Sequence, residues 1–491
     1  MLAALQIARS RAIARSALKV LRTTADIPHV RLFVLPDTSS EGIRVSDVLA
    51  ALSFALDLAD GQPAGHSLRT TLIGMDLAAK LGLPLQDRRD LYYALMLKDV
   101  GCSSTSARVF DLFGGDDRIA QRRLLRQDWR GWFKAVRFHF AYSVTHQAWP
   151  DRLRRAIHLV RDGSKLAGAL VEARARRSEE IVRRLGFNNG VARGVGAVDE
   201  RWDGTGLPQG LQGCGIPLLS RVIAVAQFIE VHATVNGPHQ AVAAARQHRG
   251  RRLDPQLVDA ALHLETDLAR WCALDEASLR REVRENEPGD AALLAGPGTL
   301  DRIAAGFTDV VDAKSPYTAQ HSSRVCEYAL AIGDRLGLGP EERNELNRAA
   351  LLHDIGKLSV PNSILDKPGP LDAEEWDIVR LHPYYTQRIL EHIRGFERLA
   401  IVAALHHERL DGRGYFHGLS GESIPLASQI IATADIYDAL TTARPYRPAL
   451  SDEIALKLLE KDRNTGLRAE CLDALIDSLD SGFTIEERKA A

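Results

Sequence analysis

Apolar residues recur at spacings of three and four along most of the chain, as they do on one face of an α-helix. The pattern is clearest in SDVLAALSFALDLA (46–59), HSSRVCEYALAIGDRL (321–336) and EIALKLLEKD (453–462). The alternation that is typical of strands is fair only in VRLFVLP (30–36). The pattern therefore predicts an all-α protein, with 30–36 as its strand candidate.

The chain also contains an internal repeat. GHSLRT (65–70) corresponds to QHSSRV (320–325), and KDVG (98–101) corresponds to HDIG (353–356), both at an offset of 255 residues. Further on, 199–227 corresponds to 407–435 at an offset of 208 residues. Because the two offsets differ by 47, the first copy carries an insertion, which must lie between Cys102 and about Arg174.

The repeat predicts two related domains separated by a charged and then Pro/Gly-rich stretch. We expect a leader at 1–44, a first domain at 45–280, a linker at 281–297 and a second domain at 298–491. The insertion mixes arginines with Trp129 and Trp132. It is predicted to form a helical pair with a solvated basic face rather than a nucleic-acid site.

The composition of the chain argues against several kinds of binding partner and cellular location. The chain has 491 residues and a formal net charge of −1, so no overall field favours a nucleic-acid polymer or an anionic membrane as partner. No apolar run approaches the roughly 20 residues that span a bilayer. The basic leader is interpreted as an exposed helix or a poorly ordered segment rather than a targeting signal. The five scattered cysteines indicate a reducing compartment, and we expect a cytoplasmic protein.

The second copy concentrates residues of the types that bind metal ions, several of them in apolar helical contexts. These residues are His321, His353, Asp354, His382, His406, His407 and Asp435. Burying such groups is costly unless they are paired or bind a metal, so their recurrence favours a metal cluster. Mixed nitrogen and oxygen ligands suit iron, manganese, zinc, cobalt or nickel better than calcium. The adjacent pairs His353–Asp354 and His406–His407 indicate two ions bridged by a carboxylate, an arrangement used for phosphoester hydrolysis.

Other residues near this cluster are candidates for substrate contacts. Lys357 follows His353 by one helical turn and is placed to reach a phosphate oxygen. A glycine-rich loop follows His407, and its Tyr415 is a candidate for stacking on a base. Arg444 and Arg447, in TTARPYRPAL, are candidate phosphate or guanine contacts.

The ordered motifs HSSRV, HDIGK, HHE, DGRGY, IPL, TADIYDALT and RPYR make residues 310–480 resemble the HD-GYP phosphodiesterases, a branch of the HD phosphohydrolase superfamily. The resemblance implies tandem all-helical HD-type domains and hydrolysis of cyclic dinucleotides, chiefly cyclic di-GMP. It implies that the seven residues above are metal ligands, that Asp354 bridges the ions and that Lys357 contacts the scissile phosphate. The expected cofactors are two divalent ions, iron or manganese. Signalling proteins that bind the glycine-rich loop and a homodimer are further expectations.

Two departures from the family pattern matter. Phe416 stands where the naming Gly-Tyr-Pro triplet has proline, which bears on partner contacts more than on metal binding. Tyr317 stands where members with a third metal carry glutamate, so two ions are predicted. Two alternatives stay open: a weakly active nucleotide sensor or partner-binding protein, and a hydrolase for another cyclic dinucleotide.

The first copy resembles the same family but has lost most of the ligand residues. His66 and Asp99 remain, while Lys98, Arg174, Val198, Asp199 and Gln227 occupy the positions of His353, His382, His406, His407 and Asp435. Too few ligands are left for a closed metal site. We predict that the two cations pair with the two stranded carboxylates, Lys98 and Arg174 with Asp99 and Asp199, and keep the former site neutral.

Overall fold

The computed structural model describes residues 42–113, 118, 149–289, 292–444 and 447–485. The strand candidate at 30–36, nearly all of the leader and the two tryptophans of the insertion lie outside these residues. Within them the protein is helical, and β pairing is limited to isolated bridges. The prediction of an all-α fold is confirmed.

The first half comprises eleven described helices and the second half ten. Those of the first half are α1 (Val45–Ala59), α2 (His66–Lys80), α3 (Leu85–Leu97), α4 (Ser106–Phe113), α5 (Trp149–Arg184), α6 (Asn189–Gly196), α7 (Leu218–Asn236), α8 (Pro238–Gln247), α9 (Pro255–Ala260), α10 (Glu265–Ala273) and α11 (Glu276–Glu285). Those of the second half are α12 (Pro297–Asp312), α13 (His321–Arg335), α14 (Pro340–Leu352), α15 (Asn362–Leu365), α16 (Ala373–Val379), α17 (His382–Leu390), α18 (Glu397–Ala404), α19 (Leu426–Thr441), α20 (Asp452–Glu460) and α21 (Ala469–Asp480).

The helices of the two halves correspond as the sequence repeat predicts. α1, α2 and α3 correspond to α12, α13 and α14, and each set leads into a short 3₁₀ turn, Cys102–Thr105 or Ile355–Ser359. The long helix α5 ends the insertion and then supplies the counterpart of α17. The linker predicted at 281–297 begins inside helix α11, because that helix continues to Glu285.

The two halves exchange contacts in a pseudo-symmetric way. α1 packs against the 3₁₀ turn Ile355–Ser359 and against α17, while α12 packs against the turn Cys102–Thr105 and against α5. Backbone hydrogen bonds join the starts of the halves, from Val45 N to Leu293 O at 2.9 Å and from Ala295 N to Ile43 O at 2.7 Å. Buried apolar residues form one cluster that runs through both halves. Each half therefore packs against the short turn that follows the His-Asp or Lys-Asp pair of the other.

Helix α7 is long and apolar enough to cross a membrane, but 61% of its most apolar window is buried inside the protein. It contacts α2, α6 and α8, as the central helix of a bundle does. Its apolar character is accounted for by core packing.

Candidate metal centre

Four histidines of the second half direct their Nε2 atoms at Asp354. The Nε2 atoms of His321 and His353 lie 3.6 and 3.3 Å from Asp354 Oδ2. Those of His382 and His406 lie 3.4 and 3.8 Å from Asp354 Oδ1. The two oxygens of one carboxylate thus face two different pairs of imidazoles.

Three of these imidazoles are oriented by the ends of helices. The Nδ1 atoms of His353, His382 and His406 donate hydrogen bonds to carbonyl oxygens three residues earlier, at 2.7, 2.7 and 2.6 Å. The accepting residues, Ala350, Val379 and Ala403, lie in the last turns of α14, α16 and α18, where carbonyls lack helical partners. Because a carbonyl only accepts, Nδ1 carries the hydrogen and Nε2 keeps its lone pair. The local fold therefore directs the Nε2 atoms of these three imidazoles toward the centre.

The fourth histidine is oriented by a residue that the sequence analysis missed. His321 Nδ1 lies 2.7 Å from Asp438 Oδ2, and Arg324 Nε donates to Asp438 Oδ1 at 2.6 Å. Asp438 lies one turn after Asp435 on α19, with its side chain buried. Its position in the motif TADIYDALT, and the acidic Glu230 at the corresponding place in the first half, are the sequence signals that were available.

The donor atoms form overlapping groups of the kind that hold metal ions. Two groups share His353: one holds His321, His353 and Asp435, and another holds His353, Asp354 and His406. A third group holds His382, His406 and His407. Within each group the ligand atoms lie within 4.8 Å of one another. The buried atoms His353 Nε2 and Asp354 Oδ1 have no hydrogen-bond partner, as expected for atoms that ligate metals, and His321 Nε2 lies 3.1 Å from Asp435 Oδ1.

Burial and neighbouring charges set the protonation of the centre. Burial, with help from His407 and Lys357, lowers the pKa of His382 to about 3. Burial also lowers the pKa of His407, to about 4. Burial works the other way at Asp354, but His353 and Lys357 outweigh it and hold the pKa of that carboxyl well below its usual range. At His321 burial would lower the pKa, but Asp354 and Asp435 outweigh it and hold that pKa well above its ordinary value. At neutral pH the centre thus includes neutral imidazoles at His382 and His407 and an ionised carboxylate at Asp354.

A close helix contact holds the His-Asp turn in place. Thr386 Oγ1 donates to His353 O at 2.8 Å and accepts from Gly356 N at 3.1 Å. A Cβ atom on Gly356 would lie 1.9 Å from His382 O, so only glycine lets the turn reach α17. In the first half, a Cβ atom on Gly101 would lie 2.6 Å from the carbonyl oxygen of Arg174. The turn is therefore built in the same way in both halves.

The candidate substrate residues fall into two groups. Lys357 is half-buried and its Nζ contacts Asp354 Oδ2, while the Tyr415 ring stacks on His407 with 4.7 Å between centroids. Both therefore border the centre. Arg444 Nη1 donates to Tyr317 O at 3.3 Å, and Arg447 donates to the carbonyls of Ala439, Leu440 and Pro448. Arg447 thus closes the C-terminal end of α19, and its contact with substrate stays a prediction.

The loop that contains Tyr415 is held by a buried carboxylate. Glu408 accepts hydrogen bonds from the backbone nitrogens of His417, Gly418 and Leu419 at 2.7, 3.1 and 2.9 Å. Phe416, which replaces the usual proline, packs edge-on against Tyr384 with 5.7 Å between centroids. Glu200 makes the equivalent backbone contacts in the first half, at 2.7 and 2.9 Å.

The corresponding place in the first half is closed by cations. Lys98 Nζ contacts Asp99 Oδ2 and lies 3.0 Å from His66 Nε2, and Arg174 contacts Asp199, so both predicted pairs are present. Burial would lower the pKa of Lys98, but Asp99 outweighs it and holds that pKa above its ordinary value. The remaining cavity is about 10 Å³, room for about one water molecule. A nucleotide cannot occupy this place.

The outer contacts of the lost centre survive. His66 Nδ1 contacts Glu230, and Arg69 Nε donates to Glu230 Oε1 at 2.8 Å, as His321 and Arg324 do with Asp438. The first half has therefore kept the scaffold around the centre and exchanged its inner ligands for ion pairs.

Comparison with known proteins agrees with this geometry. A family model described as HD domain matches residues 140–257 and 307–467. The 3′3′-cGAMP-specific phosphodiesterase 3 of Vibrio cholerae is 38% identical over 435 residues, which cover 89% of this chain and 94% of that protein. The cyclic di-GMP phosphodiesterase response regulator of Xanthomonas campestris pv. campestris is 38% identical over 180 residues, 36% of this chain and 47% of that protein.

A solved structure matches this chain over a similar share of its length. The crystal structure of a cyclic GMP-AMP specific phosphodiesterase of Vibrio cholerae superposes with a TM-score of 0.62 at 33% identity, covering 90% of this chain and 100% of that one. The likeness therefore includes both halves and not only the half that carries the intact centre.

Proposed function

The chain belongs to the HD domain family, among the metal-dependent HD-GYP phosphodiesterases that act on cyclic dinucleotides, and on this premise we propose that 3′3′-cGAMP is its substrate. A relative that matches nearly the whole chain, from Vibrio cholerae, is specific for that dinucleotide. The cyclic di-GMP phosphodiesterases of Xanthomonas campestris and Pseudomonas aeruginosa match only 36% and 27% of the chain. Cyclic di-GMP, expected from the sequence motifs, is the second candidate.

The observation that carries the assignment of the active centre is the convergence of four imidazole Nε2 atoms on the two oxygens of Asp354. We propose as metal ligands His321, His353, Asp354, His382, His406, His407 and Asp435, with Asp354 shared between two ions, iron or manganese. Bound there, divalent ions supply Lewis-acid stabilisation of a phosphate and a hydroxide at neutral pH.

The remaining roles belong to side chains at the rim. Lys357, whose ammonium contacts Asp354, is placed to exchange that contact for a non-bridging oxygen of the scissile phosphate. Tyr415, stacked on His407 and lying under the Arg380 guanidinium at 5.9 Å, offers an aromatic surface to a base. Hydrolysis of one phosphodiester bond then opens the ring to a linear dinucleotide. Binding of signalling proteins to the glycine-rich loop and a homodimer stay predictions.

The test is a substrate panel on the full chain loaded with manganese or with iron under reducing conditions. We expect turnover of 3′3′-cGAMP above that of cyclic di-GMP, and about two ions per chain by metal analysis. Asp354→Ala should abolish turnover of both. A chain that binds two ions but cleaves neither dinucleotide would contradict the proposal.

The repeat provides a matched pair of variants for Lys357. Cys102 occupies the corresponding position in the first half and is buried. Lys357→Ala should lower kcat by a factor of about 10² to 10³, as loss of one electrostatic donor does. Cys102→Ala should leave kcat within about twofold of wild type. Equal loss in both variants would show that the effect is structural.

A further inference from the structure

A second cavity, of about 360 Å³, lies between the two halves and away from the metal centre. Helices α1, α3 and α11 of the first half line one side, and the segment that follows α17 lines the other. Its size is within the range of about 300–1,000 Å³ that small-molecule sites occupy. It is large enough for a ligand, in contrast to the closed site at Lys98.

The lining is strongly cationic. Arg280, Arg281 and Arg284 come from α11, and Arg394 comes from the second half. The carboxylate that lines the same cavity is Asp47, whose Oδ2 lies 3.8 Å from Arg284 Nη1. Asp47 and Glu276, which pairs with Arg280, are two carboxylates against four guanidinium groups, so an excess of positive charge remains. Guanidinium is the group that proteins use most for bidentate binding of phosphate.

One of these arginines, Arg280, is held by an ion pair but has a guanidinium nitrogen without a hydrogen-bond acceptor. Arg280 is paired with Glu276 through Nη2, but its buried Nε has no hydrogen-bond partner. Burial lowers the pKa of its guanidinium below the ordinary value, a sign that the charge is incompletely compensated. An anion in the cavity beside this guanidinium would compensate its charge.

The second half contributes a group suited to a hydroxyl. His392 lines the cavity, and its Nδ1 lies 2.5 Å from the carbonyl oxygen of Arg388. The carbonyl accepts, so Nδ1 carries the hydrogen and Nε2 is an acceptor. Burial and the nearby Arg280 lower the pKa of His392, so the ring is neutral at neutral pH. The cavity therefore presents phosphate donors and a hydroxyl acceptor.

We propose that this cavity is a regulatory site for a small organic phosphate of nucleoside monophosphate size. The ligand would bridge α11 of the first half to the residues that directly follow α17. Helix α17 begins with His382, whose Nε2 faces Asp354, and also packs on α1. Ligand binding in the cavity would therefore change the position of His382 at the metal centre through a single helix of nine residues.

Binding is tested on the full chain by isothermal titration with inorganic phosphate, pyrophosphate, AMP and GMP. The site variant is R281Q/R394Q, which changes two exposed residues at the rim. The control is R176Q/R246Q, which removes the same charge from exposed positions elsewhere. We expect saturable binding of AMP or GMP that is at least tenfold weaker in the site variant and unchanged in the control.

A parallel assay measures turnover of the cyclic dinucleotide. The site variant should hydrolyse substrate like wild type without added nucleotide, and only wild type and the control should change rate when AMP or GMP is added. Equal inhibition of all three proteins would mean that the nucleotide binds at the metal centre, which overturns the proposal. Absence of nucleotide binding, or binding of inorganic phosphate alone, would overturn it as well. None of these outcomes depends on which cyclic dinucleotide is the substrate.

Discussion

Replacing Lys98 by methionine would test whether this side chain has taken over the charge of the lost metal. The Lys98 side chain is fully buried and that of Asp99 is 8% exposed. Methionine keeps most of the apolar volume of lysine and removes the charge, so the substitution leaves little empty space and costs little stability through packing. The variant leaves Asp99 buried without its main cation.

Removing one partner of a buried ion pair costs about 3–5 kcal/mol. The unfolding entropy of a chain of about 490 residues is roughly 1 kcal/mol/K, so the melting temperature should fall by about 3–5 °C if the halves unfold together. Denaturant titration followed by circular dichroism measures the loss directly. The double variant K98M/D99N removes both charges and should recover most of it, because an uncharged pair leaves no buried ion.

The pH dependence separates charge from packing. Lys98 and His66 hold the pKa of Asp99 below its ordinary value although burial would raise it, so in wild type this carboxylate stabilises the fold above its unfolded pKa of about 3.9. That stabilisation disappears as the pH falls through the lower folded pKa. In K98M burial raises the pKa of Asp99 because Lys98 no longer opposes it, so the difference between wild type and K98M should be largest at neutral pH and should narrow as the pH falls toward about 4 and below. A single variant as stable as wild type, or a double variant as unstable as the single, would refute the reasoning.

Three further outcomes follow from the contacts of the second half. The Gly356→Ala variant should lose both bound metal and turnover, because a Cβ atom would lie 1.9 Å from His382 O. Measurements of metal content and kcat test this prediction. Asp438→Asn weakens the support of His321 and should lower metal affinity by about 10- to 100-fold in a competition titration, with folding retained. Arg447→Ala should reduce stability by about 1–3 kcal/mol and leave KM unchanged, because its guanidinium already donates to three carbonyls. A raised KM would support the prediction that Arg447 contacts the substrate.

The sequence was informative wherever a signal was local or repeated. The spacing of apolar residues predicts the helices, and two constant offsets align Lys98 with His353 and Arg174 with His382. The orientation of three imidazoles also rests on a local rule, because each Nδ1 reaches a carbonyl only three residues away. Such features need little knowledge of the rest of the chain.

Asp438 and Arg447 show where local reasoning stops. Asp438 lies within a recognised motif, but its contact with His321 joins residues 117 positions apart. Arg447 follows helix α19, and its guanidinium, a group suited to phosphate, donates to backbone carbonyls at the end of that helix. Composition and spacing are the same for either use, and only the folded chain distinguishes them.

By itself the sequence determined the all-helical class, the repeat and the set of residues able to bind metal, because these depend on periodicity and residue type. The tertiary structure decided which atoms of Asp354 face which imidazoles and how the ion pairs close the first copy. It also decided that each half packs against the short turn of the other, and that arginines of α11 meet Arg394 across a cavity. These relations depend on how helices distant in the chain dock, and docking is set by the summed packing of one shared core.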